Sequence, residues 1–188
     1  MSRPRIVGGS AKGRTLQTPA SGTRPSPVRL REALFDIVAF EPRGRFLDLF
    51  AGSGAVGLEA ASRGFAAVCV ELAKQAAAVI AANAKALDLD VEVVRGDAIA
   101  FARSHPGRFG IVFAAPPYPL DLHKLFASVI ESGAAEPSGL YVLQHPSDFK
   151  LEVPDTGPLA AATREARVKR YGSNSLTLVR VPGIVKNG

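Results

Sequence analysis

A glycine-rich turn between a strand and a helix is the feature that most constrains this sequence. It lies in the run RFLDLFAGSGAVG, Arg45 to Gly57. An apolar strand, Phe46 to Phe50, is interrupted by one acid, Asp48, and glycines with the spacing GxGxxG follow: Gly52, Gly54 and Gly57. The first two glycines permit a tight turn and close approach to a ligand, and the third lets the next helix pack on the strand. The free amides at the helix start then face whatever occupies the turn.

A second acid stands where a nucleoside cofactor would need one. The apolar run Ala66 to Val70 ends in Glu71, 19 residues after Gly52, where a carboxylate could accept hydrogen bonds from both hydroxyls of a ribose. Dinucleotide enzymes and S-adenosylmethionine (SAM) enzymes share this layout. A dinucleotide, however, needs its pyrophosphate on the helix N-terminus with no acid crowding it. Asp48 suits a ligand carrying an ammonium and a sulfonium, which favours SAM.

Strands and helices alternate from Arg45 onward, which predicts an α/β fold with a parallel sheet wound on both faces. Strands are expected near residues 46–50, 66–71, 91–94, 109–114 and 139–144, and helices near residues 55–63, 73–87, 97–103 and 121–132. Residues 163–170 and 175–181 flank the turn from Tyr171 to Asn174 and add an antiparallel pair. The prediction is a Rossmann-like, mostly parallel seven-stranded sheet with an antiparallel C-terminal strand.

The N-terminal residues predict a β-hairpin extension. Two β-like pieces, Arg5 to Val7 and Arg14 to Gln17, flank the glycine-containing loop GGSAKG, and the hairpin is expected to extend beyond the main core. Ser26-Pro27 supplies an N-cap and a first-turn proline for a helix that reaches Ala39. The predicted division is a basic hairpin extension over residues 1–22, a SAM-dependent α/β domain over 23–181 and a mobile tail over 182–188.

Positive charge is concentrated at the two ends of the chain. Residues 1–45 carry nine Lys/Arg against three acids, residues 46–162 carry eight against thirteen, and residues 163–188 carry six against one. Seven cations precede the first acid, and they are the candidate RNA-binding residues: Arg3, Arg5, Lys12, Arg14, Arg24, Arg29 and Arg31. This is the electrostatic footprint of a phosphate-backbone partner, although a solvated basic surface would have the same composition.

Composition excludes several other classes. The chain of 188 residues has a single cysteine, Cys69, inside an apolar run, so a buried inert thiol is expected and no cysteine-based metal cluster is possible. No apolar run reaches 18 residues and no signal-peptide pattern is present. We therefore expect a cytoplasmic protein that has no membrane partner and is a monomer.

A second motif, Ala115-Pro116-Pro117-Tyr118, follows the apolar strand that ends at Ala114. Two prolines cannot continue a ladder, so the strand must end in a rigid, carbonyl-rich turn at the carboxyl edge of the sheet. Tyr118 offers a flat face suited to stacking on an extruded base. A proline turn with a packed aromatic residue would show the same four letters.

Several segments together carry a family resemblance. DLFAGSGAVGLEAASRG and APPY resemble the amino-methylating SAM-dependent methyltransferases. IVGGSAKGRTL, TRPSPVRLREALFDIV and KRYGSNSLTLV more narrowly resemble the RsmD family, the 16S rRNA guanine-N2 methyltransferases. The resemblance covers nearly the whole chain and implies that Pro116 and Pro117 shape the acceptor site while Tyr118 stacks on the base. It also implies SAM as cofactor, bound by Asp48, Phe50, Ala51, Gly52, Ser53, Gly54, Glu71, Leu72, Asp97 and Ala98.

Two positions leave alternatives open. Asp97, after the third strand, could bind an adenine amino group, cap the next helix, or do both. Ala115 stands where the family's fourth motif has Asp or Asn, and a methyl group cannot accept a hydrogen bond. Either the carbonyls of Ala115 and Pro116 suffice to orient the amine, or another acid such as Asp121 substitutes, or the enzyme is weak or inactive. We favour the carbonyls, since placing the nitrogen in line with the sulfonium can supply most of the rate.

The leading hypothesis is methyl transfer from SAM to the exocyclic N2 amine of one guanine in 16S rRNA, with the rRNA, the 30S subunit or an assembly intermediate as partner. A DNA amino-methyltransferase shares the fourth motif, but so short a chain has no room for a separate target-recognition domain. An RNA-binding or ribosome-assembly protein that keeps the SAM fold without turnover is the non-enzyme alternative, and Ala115 is its best support.

Overall fold

The computed structural model describes residues 3–19, 27–117, 120–151, 160 and 163–183. Seven strands form one mixed sheet, which confirms the predicted α/β fold. They are β1 (Arg45–Leu49), β2 (Ala66–Glu71), β3 (Val91–Arg95), β4 (Phe109–Ala114), β5 (Ala135–Pro146), β6 (Arg167–Tyr171) and β7 (Asn174–Arg180). The helices are α1 (Val28–Ile37), α2 (Ala55–Ser62), α3 (Lys74–Ala86), α4 (Ala98–Ser104) and α5 (Leu122–Glu131).

The chain divides into two compact units, residues 1–98 and residues 99–188. In the first unit the strands lie in the order β3-β2-β1 and all pair in parallel, with Leu47 opposite Val68 and Val68 opposite Glu92. The side chains of Phe46, Leu47 and Leu49 are all buried, because a parallel sheet is covered on both faces. The sequence therefore shows apolar residues on both sides of the buried Asp48, rather than an alternation of apolar and polar residues.

The N-terminal segment packs into the core of this unit. Ile6, Ala11 and Leu16 are buried in one cluster with Leu58 and Ile80. Its two arms form a single bridge between Arg5 and Thr15, where Ile6 N–H donates to the Arg14 carbonyl over 3.0 Å. The expectation that this hairpin extends beyond the main core is therefore wrong, since its apolar side chains gain more from burial than from exposure.

Helix α1 begins one residue later than predicted. Pro27 occupies the N-cap position, and its carbonyl accepts the N–H of Leu30 and of Arg31, each over 3.1 Å. The predicted apolar stripe is present, with Leu30, Leu34 and Phe35 buried. Ser26 and Arg24 lie outside the described residues.

The second unit has the strand order β4-β5-β7-β6, in which β5 pairs with β4 in parallel and with β7 antiparallel. The predicted antiparallel pair is β6 with β7, closed by the turn at Gly172. Strand β5 begins at Ala135, earlier than expected, and its first part is irregular: Ser138 has a φ of +64°. No ordinary strand pattern marks such a segment, which explains the missed start.

No helix within the described ranges is long and apolar enough to cross a membrane. The proposed division into a hairpin extension (1–22), a methyltransferase domain (23–181) and a tail (182–188) stays a prediction. Residues 184–188 of that tail lie outside the described part of the chain.

Candidate active site

The glycine turn after β1 is built from left-handed backbone at alternate residues. Phe50, Gly52 and Gly54 have φ angles of +61°, +56° and +72°. Two glycines adopt this conformation freely, whereas Phe50 is a non-glycine residue for which it costs on the order of 1–3 kcal/mol. Hydrogen bonds hold the turn, since Ala51 N–H donates to the Val70 carbonyl over 3.0 Å and Gly54 N–H to the Ala51 carbonyl over 2.7 Å.

The second and third glycines of the motif are also required by close packing. A Cβ at Gly54 would lie 2.7 Å from Cγ1 of Ile80, and one at Gly57 would lie 2.1 Å from Sγ of Cys69. Helix α2 thereby approaches β2 more closely than any larger residue allows. This is the helix-to-strand packing that the third glycine of the motif predicts.

Asp48 is a buried acid at the base of the turn. It is 2% exposed, and its Oδ2 accepts the N–H of Gly57 over 2.9 Å. Burial raises the pKa of Asp48 to about 7; the Gly57 hydrogen bond lowers it and the nearby Glu71 carboxylate raises it further. None of these three influences is a cation, so a positively charged ligand would stabilise the ionised form.

Glu71 connects the end of β2 to the turn. Its Oε2 accepts the Gly52 N–H over 2.7 Å, and its Oε1 accepts the Ala73 N–H over 2.8 Å. Each carboxylate oxygen keeps a further lone pair, so both can still accept a ligand hydroxyl. The next side chain, Leu72, is 69% exposed, which leaves an apolar surface beside the carboxylate.

Asp97 and Ala98 follow β3 at the same edge. Gly96 N–H donates to the Glu71 carbonyl over 3.1 Å, so the end of β3 lies against the end of β2. Asp97 is exposed and Ala98 begins α4. Ala51 and Ser53, in the turn itself, are buried.

The second predicted motif follows β4. Ala115 is half-buried, Pro116 is buried and Pro117 is exposed, while Tyr118 lies outside the described residues. Asp121, the acid considered as a substitute for the missing one, caps helix α5: its Oδ1 accepts the Lys124 N–H over 3.2 Å.

Four aromatic rings packed near the start of α5 were not singled out from the sequence. They belong to His123, Phe126, His145 and Phe149, with the rings of His123 and Phe149 4.6 Å apart. Both nitrogens of His145 are engaged, Nδ1 with the Pro146 carbonyl and Nε2 with Thr177 Oγ1. Burial lowers the pKa of His145. These contacts fit a packing role, which no spacing in the sequence distinguishes from a catalytic one.

Five of the seven predicted RNA-binding residues are exposed, and they separate into two groups. Arg3, Arg5 and Lys12 line an open groove of about 490 Å³ on the N-terminal segment. Arg14 and Arg29 are exposed outside that groove, and Arg24 lies outside the described residues.

The prediction that Arg31 binds RNA is wrong, because its side chain is buried and does not reach the surface. Its side chain is 0% exposed, and its Nε lies 3.7 Å from Oε2 of Glu59, whose side chain is also 0% exposed. It donates a hydrogen bond to the Arg5 carbonyl. A guanidinium in this position cannot contact an RNA phosphate, and instead neutralises a buried acid.

Glu59 is a further residue that the sequence analysis did not single out. Its two oxygens accept the N–H groups of Val7 and Gly8 over 2.7 and 2.8 Å, and Oε1 also lies 2.7 Å from Nε of Arg63. The Arg31–Glu59–Arg63 group therefore fastens the N-terminal segment to α1 and α2. We call it the Glu59 cluster.

The residues at the glycine turn fit SAM. Its ammonium and sulfonium match a buried acid whose pKa is raised and on which no cation of the described residues acts, and its ribose hydroxyls match the carboxylate of Glu71. The exposed Leu72 offers apolar contact to an adenine ring.

Comparisons with known proteins agree with this interpretation. A family model described as "Conserved hypothetical protein 95" matches residues 4–180. The protein YlbH of Bacillus subtilis (strain 168) is 35% identical over 190 residues, covering 95% of this chain and 100% of that one. Ribosomal RNA small subunit methyltransferase D of Escherichia coli (strain K12) is 40% identical over 125 residues, covering 61% of this chain and 60% of that one.

A solved structure extends the likeness to three dimensions. A hypothetical protein of Thermus thermophilus matches with a TM-score of 0.82 and 45% identity, over 95% of this chain and 99% of that one. The sequence match and the fold match both run almost end to end. The chain therefore belongs to the RsmD family of SAM-dependent rRNA methyltransferases.

Proposed function

We propose that this protein transfers the methyl group of SAM to the exocyclic N2 amine of a specific guanine in 16S rRNA. One observation carries the proposal: a buried carboxyl with a raised pKa, Asp48, and the ribose-accepting Glu71 flank the glycine turn. They do so in a chain whose relatives include a small-subunit rRNA methyltransferase.

On the cofactor side, each residue binds a different part of SAM. When bound, SAM supplies a methyl group activated by its sulfonium sulfur. Asp48 faces the cationic end, Glu71 accepts the ribose hydroxyls and Asp97 accepts the adenine amino group. The remaining contacts come from residues of the turn and the strand ends: Phe50, Ala51, Gly52, Ser53, Gly54, Leu72 and Ala98.

On the acceptor side, backbone carbonyls replace the missing acid. Pro116 and Pro117 have no N–H, so the segment is rich in acceptors and poor in donors. The carbonyls of Ala115 and Pro116 accept the guanine amine, and Tyr118 stacks on the base. Asp121 is a poor substitute for the acid, because it already caps α5. Forming the nitrogen–carbon bond would break the bond between the methyl group and the sulfonium sulfur, with S-adenosylhomocysteine as the leaving group, and the amine proton would leave to solvent.

Exposed cations on the N-terminal segment hold the RNA backbone. Arg3, Arg5 and Lys12 lie together in one groove, and Arg14 and Arg29 add charge outside it. Phosphate contacts of this kind position a substrate without reading its sequence. The partner is 16S rRNA, either within the 30S subunit or within an assembly intermediate, and the protein acts as a cytoplasmic monomer.

The decisive experiment is mass spectrometry of rRNA after incubation with the protein and isotope-labelled SAM. Free 16S rRNA and 30S particles from cells lacking this methylation are the substrates. We expect one labelled N2-methylguanine, on one of the two substrates. A label on another atom or on another RNA would contradict the proposed acceptor, and no label on either substrate would contradict turnover.

Ala115 gives a specific reason to test a second function, RNA binding without turnover. The variant Ala115→Asp restores the acid of the family's fourth motif. Under the proposal, the unmodified protein is active and the variant gains about ten- to a hundredfold at most, the effect of one charged acceptor. Activity that exists only in the variant would favour the binding protein.

A further inference from the structure

Phe40 is the most exposed large apolar side chain of the described residues. It is 98% exposed and lies in the turn after α1, three residues beyond Ile37. A fully solvated phenylalanine contributes nothing to the core, and the cofactor and acceptor motifs do not involve it. An aromatic ring in this position is available for contact with another molecule.

A cleft of about 220 Å³ lies beside the end of α1. Its floor is apolar and two arginines border it; the lining residues are Gly9, Phe35, Val38, Ala39, Arg43, Arg63 and Phe65. Ala39, the neighbour of Phe40 in the chain, is among them. Gly9 places the cleft on the same N-terminal segment that carries Arg5 and Lys12.

Arg43 presents a flat, fixed plane to this cleft. Its guanidinium carbon lies 4.7 Å from the centre of the Phe65 ring. Its Nη1 donates to the Glu41 carbonyl over 2.8 Å and its Nη2 to the Ala39 carbonyl over 2.9 Å. These hydrogen bonds lie in the guanidinium plane and Phe65 covers one face. Because Arg43 is exposed, the opposite face is left for a second planar group.

Arg63 forms the other wall in the same manner. Its guanidinium carbon lies 4.8 Å from the centre of the Phe35 ring, and its Nε is held by Glu59 at 2.7 Å. That carboxylate takes one N–H of Arg63, and backbone carbonyls take N–H groups of Arg43, so fewer donors are left for a phosphate than on a free guanidinium. The cleft is thus better suited to a neutral, flat group than to a phosphate.

We propose that this cleft binds an unpaired rRNA base, which stacks on Arg43 and Phe40. Unpaired bases of RNA are commonly held on aromatic rings and on guanidinium planes, and both are present here. The inference rests on the proposed rRNA substrate and adds a contact distinct from the methylated guanine. The groove of Arg3, Arg5 and Lys12 would hold the backbone on the same segment.

Two variants separate stacking from charge. Arg43→Lys keeps the positive charge and removes the plane, and Phe40→Ala removes the exposed ring. Each is expected to raise the KM for the RNA substrate about 5- to 100-fold, with kcat and SAM affinity unchanged. Matched controls are Arg103→Lys on α4 and Val168→Ala on β6, both at exposed positions, which should leave KM unchanged. Thermal denaturation checks that Arg43→Lys still folds, since Arg43 also binds carbonyls at the end of α1.

A photocrosslink at position 40 identifies the occupant directly. With p-benzoylphenylalanine in place of Phe40, illumination with 30S particles is expected to crosslink the protein to a nucleotide of 16S rRNA. A crosslink to a ribosomal protein or to a second copy of this chain would overturn the inference, as would unchanged KM in both variants. Absence of methylation by the unmodified protein would refute the proposed activity alone, because the crosslink does not require turnover.

Discussion

Asp48 has a pKa close to neutral, which makes cofactor binding dependent on pH. Burial raises the pKa of this carboxyl to about 7 in the free protein, and the cationic SAM favours its ionised form. Below pH 7 the group must therefore release a proton before SAM binds. We expect SAM affinity to fall toward tenfold for each pH unit below 7 and to level off just above it.

Calorimetric titration between pH 5.5 and 7.5 measures this dependence. Repeating it in two buffers with different ionisation enthalpies counts the released proton. The variant Asp48→Asn carries no titrating group and should bind SAM more weakly at pH 7.5, with a nearly flat profile. An unmodified protein that binds equally well at pH 5.5 and 7.5 would refute the assignment of Asp48 to the cationic end of SAM.

The variant Gly57→Ala tests the close packing of α2 on β2. A Cβ at this position would lie 2.1 Å from Cys69 Sγ, so Gly57→Ala should lower the free energy of unfolding by about 1–3 kcal/mol. Chemical denaturation measures the change. Gly44→Ala is the matched control, since a Cβ there meets no atom within 4 Å.

The source of that destabilisation can also be tested. In a Cys69→Ala background the obstructing sulfur is absent, so Gly57→Ala should cost less than it does in the unmodified protein. Equal costs in the two backgrounds would show that the loss arises elsewhere, for instance at the nearby Asp48.

At the scale of elements, most helices and strands were predicted within one or two residues of their observed bounds. Hydrophobic periodicity, runs of β-branched residues and glycine turns are local signals, and they sufficed to predict the elements of the α/β core. Burial of the N-terminal segment and of Arg31 escaped prediction because their partners are distant in sequence: Leu58 and Ile80 pack on the segment, and Glu59 lies on α2, 28 residues after Arg31. No local pattern marks a charge that is neutralised by a distant buried residue.

The candidate site shows the same division. The closeness of the residues predicted to bind SAM could be foreseen from the sequence, because they adjoin one turn and the strand ends beside it; their role stays a prediction. The irregular start of β5 and the cleft at the end of α1 could not be foreseen, since they arise from Ser138 in a left-handed conformation and from arginines stacked on rings of other elements.

The Glu59 cluster joins three elements, so it should control the order of the N-terminal segment. Glu59→Gln leaves the buried Arg31 guanidinium without its nearest carboxylate and with only the weaker influence of Glu32, and we expect it to lower the free energy of unfolding by about 3–5 kcal/mol. Hydrogen exchange should quicken at the amides of Val7 and Gly8, which donate to Glu59.

The control for this variant is Glu92→Gln. Glu92 pairs with Arg45 over 3.6 Å at the surface, and its loss should change stability by less than about 1 kcal/mol. If Glu59→Gln lowered the free energy of unfolding no more than Glu92→Gln does, the Glu59 cluster would not be what holds the N-terminal segment to α1 and α2.

At the scale of the whole molecule, the net charge of +6 is less informative than its distribution. The double variant Arg5→Ala, Lys12→Ala removes two groove cations, and Lys74→Ala, Lys85→Ala removes two exposed cations from α3. Both have the same net charge. Only the first should lower the slope of log Kd against log salt concentration for 16S rRNA. The expected decrease is about 1.4, since each of the two lost contacts to a single-strand phosphate contributes about 0.7.

Filter binding between 50 and 250 mM salt gives the two slopes. Equal decreases in both variants would mean that RNA senses overall charge, and the groove would then lose its assigned role. Arg31 should be left intact in such a series, because its loss would disturb folding rather than binding.

The cysteine beneath Gly57 has a practical consequence. It is the single thiol of the chain, it is 0% exposed, and burial raises its pKa well above the ordinary value. A disulfide reagent such as Ellman's therefore cannot react until α2 lifts from β2. The rate of colour development in native buffer would report how often α2 separates from β2 beside the glycine turn, with no label introduced into the protein.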